Sequence, residues 1–403
     1  MASADELATR VREGDLRLYE LEDHADADTA AAARRQFLAE TVEADLETVG
    51  DYSFPAETAD PNIENMIGAA QVPMGVVGPL PIDGSAAEDD FHVPLATTEG
   101  ALVASVNRGA AAIRDAGGAD AEVLKYGMTR APVFSVSDVT EAAEVVEWAE
   151  DNEDRIEAVA EETDPHIGYQ EMTPYVVGDN VYLRLNFDTG DAMGMNMATI
   201  ASRSVAETIE EHTPASLVAV SGNLCNDKKP AAINAVEGRG YTVAADVFLP
   251  DGVVEDTFGT TAEAIAEVNT RKNLVGSAKA GALGFNAHVA NVVGAAFLAL
   301  GQDEAHVVDG SNAITSVEAR EDGLYASVTF SSLPVGSVGG GTGLPTQSEA
   351  LDVLGLAGGG DPVGSNGDAL AEVIAATGLA GELSLLGALA GQHLASAHEE
   401  HGR

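Results

Sequence analysis

Self-repulsion is the first constraint on this chain: 66 aspartates and glutamates stand against only 20 lysines and arginines, a formal net charge of -46 over 403 residues. Repulsion of that size opposes any compact state at low ionic strength. At about 1 M salt the Debye length falls to about 3 Å, and a dispersed acidic surface becomes compatible with a packed core. The acids are spread along the chain rather than gathered in a disordered block, so the sequence reads as a folded, halophilic, cytoplasmic protein. The same charge argues against a nucleic-acid partner.

Cys225 is the single cysteine, which excludes intrachain disulfides and fits a reducing compartment. The segment from Met1 to Arg12 has no apolar core of the kind that leader peptides carry, and no run of about 18 apolar residues stands out, so no membrane association is expected.

The length has room for about two or three domains. Residues 1–50 read as a short N-terminal helical part, Ala-rich and acidic from Asp28 to Val49. Residues 51–131 begin a large domain. They open with a turn-rich stretch around Pro73, Gly75, Gly78, Pro79 and Pro81, followed by a helix that Thr97 or Thr98 caps, with Glu99 in its first turn and Gly117–Gly118 as its stop. Residues 132–220 switch to a strand, an acidic helix from Asp138 to Glu161, strands from Gln170 to Asn186 and a helix from Met193 to His212, the order of an inserted α+β module. Residues 221–403 return to the large domain, with helices expected at Thr261–Val268, Asn286–Leu300 and Leu379–Ala397. The class is therefore α+β.

Chemistry concentrates in Ser221-Gly222-Asn223-Leu224-Cys225-Asn226-Asp227-Lys228-Lys229-Pro230. Two adjacent lysines in so lysine-poor a chain point to a task other than solvation. A fixed ammonium beside a carbonyl stabilises the negative charge that develops on oxygen when hydride arrives.

This stretch resembles the signature of class I 3-hydroxy-3-methylglutaryl-CoA (HMG-CoA) reductases, and further matches follow in family order. They are Glu64-Asn65-Met66-Ile67-Gly68 with Pro73-Met74-Gly75-Val76, Thr97-Thr98-Glu99-Gly100, Gly127-Met128-Thr129-Arg130, and Asp191-Ala192-Met193-Gly194-Met195-Asn196-Met197. After these come Lys272-Asn273-Leu274-Val275-Gly276-Ser277, Gly301-Gln302-Asp303, Gly339-Gly340-Gly341-Thr342, and His393-Leu394 through His398, His401 and Arg403.

The resemblance implies a large α/β domain with a long central helix, interrupted by a small ferredoxin-like domain that binds NADPH. It implies reduction of HMG-CoA through a thiohemiacetal and an aldehyde to mevalonate and CoA. Lys228 would hold the oxyanion, Glu99 would donate a proton, helped by burial and a neighbouring carboxylate, and Asp303 would share their network. His398 would protonate the departing thiolate. Substrate contacts would come from Ser105, Arg108, Arg130, Ser221, Asp227, Lys229, Lys272 and Asn286, with Ser105 and Arg108 three apart on one helix face.

No dinucleotide fingerprint of the Gly-x-Gly-x-x-Gly kind opens a helix after a strand. The resemblance places the cofactor instead on Asp191, Met195, Asn196 and Met197 and on the loop Gly339, Gly340, Gly341 and Thr342. Where many class I members carry a basic pair for the 2'-phosphate, this chain has Thr163-Asp164-Pro165-His166. No metal is expected, since His398 and His401 lack a third ligand. A homodimer or dimer of dimers with active sites between subunits is implied. An NAD-dependent class II-like enzyme of mevalonate catabolism and an inactive CoA-ester-binding paralogue are the alternative readings.

Overall fold

A computed structural model describes the backbone of residues 2–401 and the side chains of residues 2–392. Two N-terminal helices, Ala4–Glu13 and Ala27–Val42, pack on each other around Leu7, Leu16, Leu21, Ala30 and Ala33. The first carries a reciprocal cap: Ser3 Oγ accepts from Glu6 N at 3.3 Å and Glu6 Oε2 accepts from Ser3 N at 3.0 Å. That Ser-x-x-Glu signal lies within the helical part expected over residues 1–50, ahead of its Ala-rich stretch from Asp28 to Val49.

The large apolar core lies under a sheet of β1 (Met74–Gly84), β2 (Glu88–Ala96), β3 (Ala119–Arg130), β8 (Gly240–Pro250), β9 (Ala313–Arg320) and β10 (Gly323–Leu333). The spatial order is β2-β1-β3-β8-β10-β9, antiparallel except for the parallel β1–β3 pair. Period-2 burial orients it: Tyr241, Val243, Ala245, Val247 and Leu249 of β8 and Leu324, Ala326, Val328 and Phe330 of β10 all face inward.

Against that face runs the helix Ser365–His401. An 18-residue window within its segment Ser365–Gln392 has a mean hydropathy of 1.7, so by length and composition the helix could cross a bilayer, although polar and acidic residues interrupt its apolar run. Yet 83% of that window is buried inside the molecule, as befits a core helix. Small residues permit this. Gly109, on the neighbouring helix Leu102–Ala116, abuts the backbone of Ala380, and a Cβ there would collide with the Ala380 carbonyl. Two acids of the core helix are buried yet satisfied: Glu372 accepts from Ser85 Oγ, Ala86 N and Ala87 N, and Glu382 from Ala287 N, His288 N and Thr315 Oγ1.

A second core belongs to residues between Met128 and Ala215. It is built from β4 (Val133–Ser135), helices Val139–Asp151 and Glu153–Glu161, β5 (Gly168–Val177), β6 (Asn180–Asp188), helix Met195–His212 and β7 (Ser216–Ala219). The strands are antiparallel in the order β7-β4-β6-β5. β3 stitches the two cores together: Asp120–Gly127 pairs with β8, whereas Met128–Arg130 pairs with β6. Arg130 therefore emerges at the seam.

Two boundaries differ from expectation. The helix after Glu99 begins only at Leu102, because Ala101 adopts a left-handed φ of 68°. Thr97 Oγ1 caps a turn by accepting from Glu99 N at 3.0 Å, leaving Glu99 on the loop in front of the helix rather than within its first turn. The long acidic helix is two helices, broken at Asn152.

Candidate active site

The lysine loop is held in a strained form. Asn223, Asn226 and Lys228 all have positive φ, at 64°, 43° and 57°. Non-glycine residues adopt that region at a cost of about 1–3 kcal/mol each, and only where the surroundings over-determine them. Here they do. Asn226 O accepts from Asn234 Nδ2 at 3.0 Å, and Asp227 is gripped by Arg239 Nη2 at 2.9 Å and Arg130 Nη1 at 3.4 Å. The result presents Lys228 Nζ to Asp303 Oδ2 at 2.7 Å. Asp303 reaches it from the turn after helix Val289–Leu300, whose left-handed end is Gly301.

Burial by itself pushes the Asp303 carboxyl up, but the Lys228 hydrogen bond, the charges of His306 and Lys228 and the Ala305 N–H outweigh it and hold the carboxyl below the usual carboxylate range. Arg130 donates from Nε and Nη2 to Thr199 Oγ1 and lies 3.5 Å from Ser221 Oγ, which brings Arg130, Ser221 and Asp227 together. Lys229 folds back onto the Asp227 carbonyl at 2.9 Å and stays exposed.

Beside Lys228 and Asp303 opens a cleft of 670 Å³. Its walls include Met195, Asn196 and Met197 at the start of helix Met195–His212, and the loop Gly339, Gly340, Gly341 and Thr342. Gly339 and Gly340 have positive φ with open space where a Cβ would be, so their backbone can meet a ligand directly. Asn62 donates to the Gly340 carbonyl at 3.0 Å and ties the N-terminal segment to that loop.

A second cluster sits elsewhere. Glu99 Oε1 accepts from Asn291 Nδ2 at 3.3 Å, and Asn291 lies 3.5 Å from His288 Nδ1. His288 Nε2 bonds Gly381 O, Lys272 Nζ reaches Ala287 O at 3.4 Å, and Ser105 and Arg108 meet on Ser384. Glu99, Asn291, Lys272, Ser105 and Arg108 thus gather at the first turn of helix Val289–Leu300, while Asp303 and Lys228 lie beyond its far end. Nine residues of helix at 1.5 Å rise put about 13.5 Å between Asn291 and the helix end at Leu300, and Asp303 lies in the turn beyond it. Among the described residues no hydrogen bond or ion pair joins the clusters. One chain therefore carries two separate polar clusters.

Comparison with known proteins agrees with this arrangement of motifs. A family profile described as hydroxymethylglutaryl-coenzyme A reductase matches residues 30–403. The chain belongs to the HMG-CoA reductase family. It is 64% identical to the 3-hydroxy-3-methylglutaryl-coenzyme A reductase of Halobacterium salinarum over 401 residues, covering 99% of each chain. It is also 64% identical to that of Haloferax volcanii over 403 residues, covering both chains fully. Among solved structures it is similar to the class II reductase of Streptococcus pneumoniae bound to NADPH in open conformations. There the TM-score is 0.68 at 19% identity, over 93% of this chain and 100% of that one, a likeness of fold alone.

Within this reductase fold two expected site residues are engaged inside the chain, and a third is more exposed than expected. Asp191 does not line the cleft. Its carboxylate, 4% exposed, accepts from the amides of Gly360, Gly364, Asn366 and Gly367 at 2.8–3.0 Å, anchoring the start of the core helix. Asp191→Ala is accordingly expected to cost about 3 kcal/mol of stability, because buried amides lose a charged acceptor; a denaturant titration at fixed KCl measures it. Asn286 is likewise engaged: its Nδ2 donates to Ser311 O and Ala313 O, and its Oδ1 accepts from Val289 N. The asparagine that touches the Glu99 carboxylate is Asn291, five residues on, which the sequence reading missed. Glu99 itself is exposed in the single chain, with an amide rather than a carboxylate as its partner. His398 lies outside the residues whose side chains are described.

Proposed function

We propose that this chain reduces (S)-HMG-CoA to (R)-mevalonate and CoA, consuming two NADPH and two protons, in the mevalonate route to isoprenoid lipids. The observation that carries this reading is the 2.7 Å Lys228–Asp303 pair at the mouth of the cleft. The cleft suits a dinucleotide, since its glycine backbone and the N-terminus of helix Met195–His212 favour phosphate. NADPH, when bound there, supplies hydride for each of the two reductions.

The chain's own groups do the rest. Lys228 donates to the oxygen of the thioester carbonyl as charge develops on it, and Asp303 keeps the ammonium aimed. Arg130, Lys229 and Lys272 offer charge to the acyl carboxylate. Glu99 gives the proton that the second reduction requires, and His398 the proton for the thiolate. We assign Glu99 and Lys272 to a second subunit, because the helix Val289–Leu300 holds them apart from Lys228 and Asp303 within one chain; each chain then carries two half-sites, and the working unit is a homodimer or a dimer of dimers. Once covered by that subunit, Glu99 leaves water. Domain limits at residues 51–131, 132–220 and 221–403, with the middle part a ferredoxin-like cofactor module, fit the two cores and the strand order β7-β4-β6-β5. The cytoplasm is the compartment that fits the net charge of -46.

Class I assignment rests on Met195-Asn196-Met197 and Asp227-Lys228-Lys229. In the walls of the cleft Lys228 is the sole basic side chain among the described residues, so the 2'-phosphate has no arginine there. An assay of NADPH oxidation with HMG-CoA across a KCl series tests the whole reading. Activity should rise on the order of tenfold from 0.1 M to 2 M KCl as the carboxylates are screened. No oxidation at any salt would refute it, and a preference for NADH would favour a class II-like enzyme.

A further inference from the structure

Behind the Lys228–Asp303 pair lies a charged network sealed from water. His306, Asp309 and Arg239 all have side chains 0% exposed. His306 Nδ1 lies 2.7 Å from Asp309 Oδ2 and 3.3 Å from Arg239 Nη1, and Asp309 Oδ1 takes a longer bond of 3.4 Å from Asn234. Arg239 spans the group, with Nη1 3.5 Å from Asp309 Oδ2 and Nη2 2.9 Å from Asp227 Oδ1. The other ring nitrogen is the anomaly. His306 Nε2 is buried and has no hydrogen-bond partner, yet it faces Asp227 Oδ1 at 3.5 Å and Asp303 Oδ2 at 4.0 Å. That Asp303 oxygen is the one that Lys228 grips at 2.7 Å.

A lone pair at Nε2 would confront two carboxylate oxygens in a dry interior, whereas an N–H there is a donor waiting for either of them. We propose that His306 is a positioning residue for the reduction: anchored by Asp309, it offers its Nε2–H to Asp227 and Asp303 and fixes the carboxylate that aims Lys228. The inference rests on the reductase reading of the site. When the Lys228 ammonium turns towards the substrate oxygen, its bond to Asp303 loosens, and the Asp303 oxygen closes the gap to Nε2–H instead. No bond is made or broken covalently; the carboxylate exchanges one donor for another. A histidine present only to stabilise the fold would have no use for a second nitrogen held just out of reach.

Amide replacements separate the two nitrogens, because glutamine carries its amide nitrogen near the Nε2 position and asparagine near Nδ1. In the full-length enzyme in molar KCl, His306→Leu and His306→Asn should lower kcat about 30-fold or more with KM for HMG-CoA and NADPH within about threefold, and His306→Gln should keep kcat within about fivefold. Wild-type kcat in either low-activity variant overturns the proposal, as does a folded glutamine variant no better than asparagine. Should the leucine variant fail to fold, glutamine against asparagine decides. An inactive wild type would overturn the reductase reading and this inference together, whereas an active one with unaffected variants overturns this inference alone.

Discussion

Replacing Lys228 with alanine is expected to lower kcat for HMG-CoA reduction by about a thousandfold while KM for either substrate moves by less than about threefold. The ammonium matters most when the carbonyl oxygen becomes an oxyanion, so its loss falls on the transition state rather than on binding. Removing a single neutral donor from such a position costs about 10²- to 10³-fold, and a charged donor belongs at the upper end. Folding should be nearly untouched. The Lys228 side chain is 43% exposed, and half-exposed ion pairs contribute about 0–1 kcal/mol. The variant should therefore melt close to wild type in the same KCl, separating lost chemistry from lost structure.

The same variant has a consequence for Asp303. With its carboxyl held below the usual range, the wild-type pair persists from neutral pH down past the ordinary aspartate value of about 3.9, and the stability it adds is lost only as pH falls through the depressed value. Without Lys228 the strongest lowering partner is gone, the carboxyl moves up, and protonation of Asp303 begins at higher pH.

Short polar motifs were the legible part of this molecule. Arg130, Ser221, Asp227, Lys228 and Asp303 converge because each sits on a loop or strand end whose residue types have few other uses. Legibility failed where a position depends on what packs beside it. Asn286 and Asn291 flank the same helix start, and sequence offers no way to tell which amide is consumed by the turn; three bonds at Asn286 decide it. The core helix was expected only from Leu379 but starts at Ser365, and the added stretch includes Gly367 and Gly378, which are weak helix formers. Tertiary contact overrides them: Gly378 packs against the Phe330 ring, where a Cβ would lie 2.8 Å from Cζ. His306 drew no attention, since nothing in one chain of letters places it between three aspartates. Even the acidity of the sequence was read correctly for its surface and missed for its interior, where Glu372, Glu382, Asp191 and Asp309 each organise a loop or network.

Mixing two inactive variants should restore activity. On the proposed roles, Glu99→Gln removes the proton donor from one half-site and Lys228→Ala empties the other, so a homodimer of either variant would have no complete site. In a hybrid dimer with a two-fold axis, one of the two sites joins the two damaged halves and the other joins an intact Glu99 to an intact Lys228. Random exchange makes half the dimers hybrid, each with one working site of two, so the mixture should reach roughly a quarter of the wild-type rate per subunit. The helix Val289–Leu300 makes this outcome discriminating: a single chain would have to bring Asn291 and Asp303 together across about 13.5 Å of rigid helix from Asn291 to Leu300, which no loop movement achieves. Co-refolding the two variants from low salt into molar KCl and following NADPH oxidation gives the measurement. If the mixture stays at the sum of its parts while size-exclusion chromatography shows exchanged dimers, the half-sites do not meet between subunits, and Glu99 loses its place in the mechanism.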